Sequence, residues 1–242
     1  MRKITAIICC VLGLAACDKH DPILPGTRTA IFDSANIQVA NKTIDNAPES
    51  TVVFDNADCP YTQDASNVIW DGDRKIFSGF PTSNSVKSTQ RPVCSDNYVY
   101  AGLTTGELVK VAPKSRQIAW VADIYRASNL TGGAPMVDIV APIIPVDDAV
   151  YVGGLGDAFC KISARTGAKK WCLDISVPVA FVIAGDYAFV VGADKYLYAI
   201  ETGAGEIYWR VEVDEIAVPE YENGIIRVAD KKFIVRDGTI KK

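Results

Sequence analysis

The sequence has 242 residues, of which 49% are hydrophobic and 22% are charged, a balance typical of a folded protein with a sizeable core and not of a disordered chain. The formal net charge is −4, and it becomes −6 if Arg2 and Lys3 leave with a leader segment, since 23 basic residues then face 29 acidic ones. This acidic balance argues against a nucleic-acid partner.

Residues 1–16 have the pattern of a secretion signal. Two basic residues precede the apolar run ITAIICCVLGLAA, which is too short to remain as a membrane-spanning helix. The run ends in LAAC, which resembles the bacterial lipobox and implies that Cys17 becomes the lipidated first residue of the mature chain. The alternative is an ordinary signal peptide followed by a chance cysteine.

A lipid on Cys17 predicts a membrane-anchored protein that faces the periplasm, in the inner leaflet of the outer membrane. Asp18 resembles an inner-membrane retention signal, so the inner membrane stays open as the alternative residence. Residues 17–50 are polar and rich in turn-forming residues, which predicts a flexible tether. The folded domain is predicted to span residues 51–242.

Three gap-free segments of equal length, residues 98–120, 149–171 and 187–209, each end in tryptophan. Each has an apolar strand, a turn, an alternating strand, a second turn and a strand that carries the tryptophan. The apolar runs RPVCS, DIVAPIIPV and VPVAFVIAG precede them. Four strands per unit predict an all-β fold, the blades of a β-propeller.

The two ends of the repeat array complement each other. Residues 218–242 supply the inner three strands of a fourth blade, and NVIWDG around Trp70 offers a lone outer strand. We therefore predict about four four-stranded blades, closed by pairing of the strand around Trp70 with the last blade, which would remove exposed sheet edges. An open arc, or half of a larger ring completed by a second chain, is the alternative.

The four tryptophans are predicted to be structural, each on an outer strand where its ring covers the seam between neighbouring blades. They are Trp70, Trp120, Trp171 and Trp209.

The phrase VYVGG…GDAFCKI…TGAKKW resembles the repeat of quinoprotein-type propellers. More narrowly, residues 176–209 are similar to the BamB family, propeller lipoproteins of the outer-membrane β-barrel assembly machinery, and QRPVCSDNYVYAG, MVDIVAP and the lipobox add to the likeness. The resemblance covers about residues 17–242, although the family usually has about twice this number of blades.

The resemblance implies a non-enzymatic scaffold that contacts the periplasmic domains of a BamA-like β-barrel assembly subunit through loops on one rim. Asp138 of MVDIVAP resembles an acidic contact residue of the family, and Arg126 and Leu130 in the long loop before it are further candidate partner-binding residues. The alternatives are a quinone-binding redox propeller and a degenerate propeller fragment.

The sequence predicts no catalytic, metal or cofactor site. The only histidine is His20, in the predicted tether, so the domain lacks a histidine for a catalytic triad or a zinc site. The glycine-rich stretch GGLGDA joins two predicted strands and opens no helix, which argues against a phosphate-binding loop.

Four cysteines remain once the leader and the lipidation site are set aside, an even count that suits an oxidising compartment. Cys160 and Cys172 lie symmetrically about Thr166 in a turn, so on paired strands they would face each other. A cross-strand disulfide is one interpretation, with Cys59 and Cys94 as the remaining pair. The other interpretation is that Cys160 and Cys172 are two small buried residues without a disulfide.

Overall fold

The computed structural model describes residues 37–52, 56, 58–82, 91–124 and 136–241, within a compact unit that spans Phe32–Lys242. These residues form five small antiparallel sheets and contain no helix. Cys17, Asp18, Arg126 and Leu130 lie outside the described residues. The all-β propeller class predicted from the repeats is confirmed.

Eighteen strands build the sheets, with two sheets of three strands flanking three sheets of four. The first sheet contains β1 (Thr62–Gln63), β2 (Val68–Asp71) and β3 (Arg74–Ser78). The second contains β4 (Val93–Ser95), β5 (Tyr98–Gly102), β6 (Glu107–Ala112) and β7 (Gln117–Asp123). The third contains β8 (Ile144–Val146), β9 (Ala149–Gly154), β10 (Ala158–Ser163) and β11 (Lys169–Leu173). The fourth contains β12 (Val182–Ala184), β13 (Tyr187–Val191), β14 (Tyr196–Glu201) and β15 (Glu206–Glu212). The fifth contains β16 (Glu220–Glu222), β17 (Ile225–Val228) and β18 (Lys231–Ile234).

Hydrophobic clusters join the sheets in series. One cluster lies between the first and second sheets, the next between the second and third, and so on to the fifth. The second and third strands of each four-stranded sheet are buried on both faces, because each faces a neighbouring sheet on either side. This arrangement explains the continuous apolar runs that the sequence shows there.

Each sheet presents its turns on two rims. In the first, second and fourth sheets, the residue after the last strand donates its backbone N–H to the turn between the two preceding strands, as in Gly79 N to Asn67 O at 2.9 Å and Val213 N to Lys195 O at 2.9 Å. We call this side, which also carries the connections between sheets, the connection rim. The opposite side, which carries the turns before the last strands of the first four sheets, is the hairpin rim.

A tryptophan from one sheet packs onto a glycine of the next. The Trp120 ring lies 2.8 Å from where a Cβ would stand on Gly167, whose φ is +74°, and the indole Nε1 donates to the Ala164 carbonyl at 3.1 Å. Both the contact and the backbone conformation therefore require glycine. The same arrangement recurs at Trp171 with Gly205 and Thr202, and at Trp209 with Gly238 and Val235.

A lysine reinforces two of these seams. Lys110 Nζ donates to the same Ala164 carbonyl at 2.7 Å, and Lys161 Nζ donates to Thr202 O at 2.8 Å. Burial lowers the pKa of Lys110, while the nearby Asp96 carboxylate acts in the opposite direction. At the last seam Ala199 stands opposite the tryptophan, so that seam lacks the lysine.

Trp70 does not belong to this series, which corrects the predicted ring closure. It lies on β2, which pairs with β1 and β3 and not with the last sheet, and its indole donates to Asp64 Oδ2 at 2.9 Å. In the pairing of β2 with β3, Phe77 lies opposite Ile69, directly beside a β-bulge. In the second sheet Trp120 occupies this same position beside the bulge. The first sheet therefore has its own outer strand.

Residues 37–52, which we call the strap, pack against the fourth and fifth sheets. Ile44 is 1% exposed within the last hydrophobic cluster, Ala40 N donates to Ile207 O at 2.8 Å, and Val52 N donates to Ile183 O at 2.7 Å. The tether predicted for residues 17–50 therefore does not extend to residue 50. The apolar residues Ile37, Val39 and Ile44 within this segment were the missed signal.

Alkaline pH is expected to destabilise the fold through buried Tyr100. Burial raises the pKa of Tyr100 to about 12, against about 10 in an unfolded chain. Because the unfolded state loses this proton first, stability falls as pH rises from about 10 to about 12. Urea unfolding at about pH 9 and about pH 11 measures the fall, and Tyr100→Phe should make it smaller. An equal fall in both proteins would contradict the assignment.

Candidate partner-binding surface

Four exposed apolar side chains lie in connections of the connection rim. Phe80, which follows β3, is 77% exposed, and Met136 lies in the connection between β7 and β8 at 51%. Ile216 and Val218 are exposed in the connection between β15 and β16. Exposed apolar groups that share one side of a protein are typical of a surface that binds another protein.

A buried asparagine holds the Phe80 backbone in place. Asn67 is fully buried, and its Nδ2 donates to Phe80 O at 2.7 Å and to Thr104 Oγ1 at 2.8 Å. Its Oδ1 accepts from Thr104 N at 3.0 Å. Because these bonds use both ends of the amide, they fix the Phe80 backbone to the first two sheets.

The connection rim is acidic as well as apolar. Partial burial acts to raise the pKa of Asp64, but hydrogen bonds from Trp70 and from nearby backbone amides hold it below its usual range, so the carboxylate is ionised at neutral pH. Asp157, Asp194, Asp214 and Glu215 lie in other turns and connections of this rim, with Lys195 and Lys231 among them. A partner with basic and apolar side chains would complement this surface.

The predicted contact residue Asp138 lies beneath this surface. It is 1% exposed, and its backbone carbonyl accepts from Leu155 N at 2.9 Å. Asp138 therefore supports the base of the connection that carries Met136. The sequence prediction missed Phe80, Ile216 and Val218, although Phe80 and Val218 each directly precede a proline, which was an available signal.

Two disulfides fix segments away from the connection rim. Cys160 of β10 and Cys172 of β11 are direct cross-strand partners and are joined, with Cα atoms 4.2 Å apart. Cys59 is joined to Cys94 of β4. Asn56 adds to that junction, because its Oδ1 accepts from Cys94 N at 3.1 Å.

The described residues contain no group of three or more His, Cys, Asp or Glu side chains that could hold a metal ion. The glycine-rich stretch 153–158 comprises the end of β9, the turn at 155–157 and the first residue of β10, and a Cβ on Gly154 would lie 2.6 Å from Asp138 O. Within the described ranges, no helix has the length and apolar character needed to cross a membrane.

Comparison with known proteins identifies the family. The model of the family described as outer membrane protein assembly factor BamB matches residues 37–236, most of the chain. The chain belongs to the BamB family. This match begins at the strap, in agreement with the packing of residues 37–52 against the sheets.

A solved structure of a BamB protein shares the fold. The crystal structure of BamB from Moraxella catarrhalis matches with a TM-score of 0.63 and 17% identity, over 75% of this chain and 59% of that chain. The quinohemoprotein alcohol dehydrogenase from Comamonas testosteroni matches with a TM-score of 0.42 and 19% identity, over 51% of this chain and 20% of that chain. No curated protein sequence matches the chain. The chain thus spans about three-fifths of the Moraxella BamB structure.

Proposed function

We propose that this protein is a non-enzymatic scaffold that assists the insertion of β-barrel proteins into the outer membrane. The exposed apolar residues of the connection rim carry the proposal, because they lie on a BamB-family fold and on one side of it. The partner is the periplasmic part of a BamA-like β-barrel assembly subunit. Its binding surface would need apolar and basic side chains to match Phe80, Ile216 and the surrounding carboxylates.

Affinity isolation of the tagged protein from its own membranes tests this function. The β-barrel assembly subunit should be recovered with the wild-type protein. Replacing Phe80 and Val218 by serine should reduce its recovery by roughly thirtyfold, the effect of losing about 2 kcal/mol at a central apolar contact. Ile118→Ser is the matched control, because Ile118 is 54% exposed but lies on β7 near the hairpin rim.

If the Phe80 and Val218 substitutions left the recovery of the subunit unchanged, the assignment of the connection rim as the binding surface would be contradicted. Absence of any β-barrel assembly subunit from the wild-type isolate would contradict the function. As a non-enzymatic scaffold, the purified protein is expected to lack the absorbance bands of a bound quinone. Such bands would instead support a redox propeller.

We further propose that residues 1–16 are removed and that Cys17 carries a lipid anchor, which holds the protein at the periplasmic side of the outer membrane. The support is the LAAC sequence at the end of the apolar run. Mass spectrometry of the mature protein should find lipidated Cys17 as its first residue. An unmodified first residue would contradict the anchor. Separating the inner and outer membranes by sedimentation and finding which of them contains the protein would show whether Asp18 retains it in the inner membrane.

A further inference from the structure

The two disulfides differ in the exposure of their cysteines. Cys172 is an exposed residue on β11, the outer edge strand of the third sheet. Its partner Cys160 is 0% exposed, within the hydrophobic cluster between the second and third sheets. Cys59 and Cys94 are both half-buried, and Cys94 lies on the innermost strand of the second sheet. An external thiol can therefore approach Cys172 in the folded protein, whereas the other link is partly shielded at both ends.

The backbone holds β11 in place on both sides of its disulfide. In the pairing with β10, Leu173 lies opposite Phe159 and Trp171 lies opposite Lys161. Trp171 also ties the strand to the fourth sheet, because its indole donates to Thr202 O at 3.0 Å. Opening the link therefore leaves the strands paired, and the two cysteines remain opposite each other.

This arrangement determines which thiols can reduce the link. An external thiolate attacks Sγ of Cys172, the S–S bond breaks, and Sγ of Cys160 leaves with the electron pair and takes up a proton. The neutral thiol suits the apolar surroundings of Cys160. Because Cys160 stays opposite Cys172, it can attack the mixed disulfide and expel a monothiol again. A dithiol escapes this reversal, since its second sulfur attacks its first, closes a disulfide within the reductant and releases Cys172 as a thiol.

We propose that the disulfide between Cys160 and Cys172 is a thiol–disulfide exchange site, which a dithiol protein opens by attack on Cys172. Exposed disulfides are the labile ones in proteins. The disulfide between Cys59 and Cys94 is the structural link, and it exchanges only when the fold around it opens. The loop lengths of 12 and 35 residues agree with this division, because closing the shorter loop stabilises less and favours its reduction by roughly fivefold.

Timed reduction of the oxidised full chain tests the exchange site, with reduced thioredoxin as the dithiol protein. Samples are quenched with iodoacetamide in urea, and peptide mass spectrometry identifies the labelled cysteines. Labelling of Cys160 and Cys172 should be roughly tenfold faster than labelling of Cys59 and Cys94. Dithiothreitol acting on the unfolded chain should label both pairs at similar rates, which ties the difference to the fold. Equal rates in the folded protein, faster labelling of Cys59 and Cys94, or no labelling of either pair would overturn the proposal.

A matched pair of single variants identifies the attacked sulfur. Cys160→Ser and Cys172→Ser remove the same disulfide, so each controls for the loss of that link in the other. With oxidised glutathione, Cys160→Ser should form a stable mixed disulfide at Cys172, because the thiol that would expel glutathione is gone. Cys172→Ser should stay unmodified at Cys160 until the protein is unfolded. Equal modification of the two folded variants would overturn the proposal. Recovery of the β-barrel assembly subunit is measured separately, so this outcome does not bear on the proposed function.

Discussion

Replacing Trp120 with alanine is expected to lower the free energy of unfolding by about 3–5 kcal/mol. The side chain is 8% exposed and packs on Gly167 of the next sheet, while its indole donates to the Ala164 carbonyl. The substitution therefore removes a large buried contact and leaves an acceptor with only Lys110 as a donor. Urea unfolding followed by circular dichroism measures the loss.

Trp70→Ala is the matched control, because it removes the same side chain from a position outside the seam series. Trp70 is partly exposed and bonds within its own sheet, to Asp64. We expect a loss of roughly 1 kcal/mol from that hydrogen bond and partial burial. Similar losses for both variants would contradict the assignment of Trp120 as a seam residue and of Trp70 as a residue of the first sheet.

Removing the disulfide between Cys59 and Cys94 is expected to cost about 4 kcal/mol, since it restrains a loop of 35 residues in the unfolded chain. The double replacement by serine should also release the segment around Asn56, which hydrogen-bonds Pro92 and Cys94 at the innermost strand of the second sheet. Thermal unfolding of the oxidised wild type and the double variant checks this.

The disulfide between Cys160 and Cys172 provides the comparison. It restrains only 12 residues, so its removal should cost about 3 kcal/mol, less than the longer link. The strands it joins stay paired through the backbone of β10 and β11. If the shorter link proved the more stabilising of the two, or if the mass of the oxidised wild type showed four free thiols, the disulfide assignment would be contradicted.

The repeat positions were predictable because their signal is local. Alternation between turns, together with the apolar runs upstream, located β5 to β7, β9 to β11 and β13 to β15, and the inner three strands of the fifth sheet followed from the same pattern. Trp70 misled the alignment because the match rested on residue type. The pairing of β2 with β3, which the sequence does not show, places Phe77 beside the β-bulge, in the position that tryptophan has in the central sheets.

The strap and the connection rim were harder to predict for a different reason. Residues 37–52 form almost no regular strand, so their burial depends on contacts with residues far along the chain, such as Lys42 with Glu206. Phe80 and Ile216 lie in irregular connections, where no periodicity marks a surface. Asp138 was found by resemblance to the family, yet burial beneath the rim is a tertiary property that the motif does not encode.

The terminal sheets end differently from the central ones. The first has three strands, and the fifth has three strands and one isolated bridge, between Phe233 and Ile240. The edge strand β3 of the first sheet begins with Arg74–Lys75. Charged side chains on an edge strand oppose pairing with another chain, which favours a protein that binds its partner through a rim and not through a sheet edge.

Photo-crosslinking in living cells tests the central claim most directly. A photoreactive amino acid replaces Ile216 on the connection rim or Arg165 on the hairpin rim, both exposed positions. We predict a covalent adduct with the β-barrel assembly subunit from position 216 and none from position 165. Adducts from position 165 alone, or no adduct with that subunit from either position, would contradict a scaffold that binds its protein partner through the connection rim.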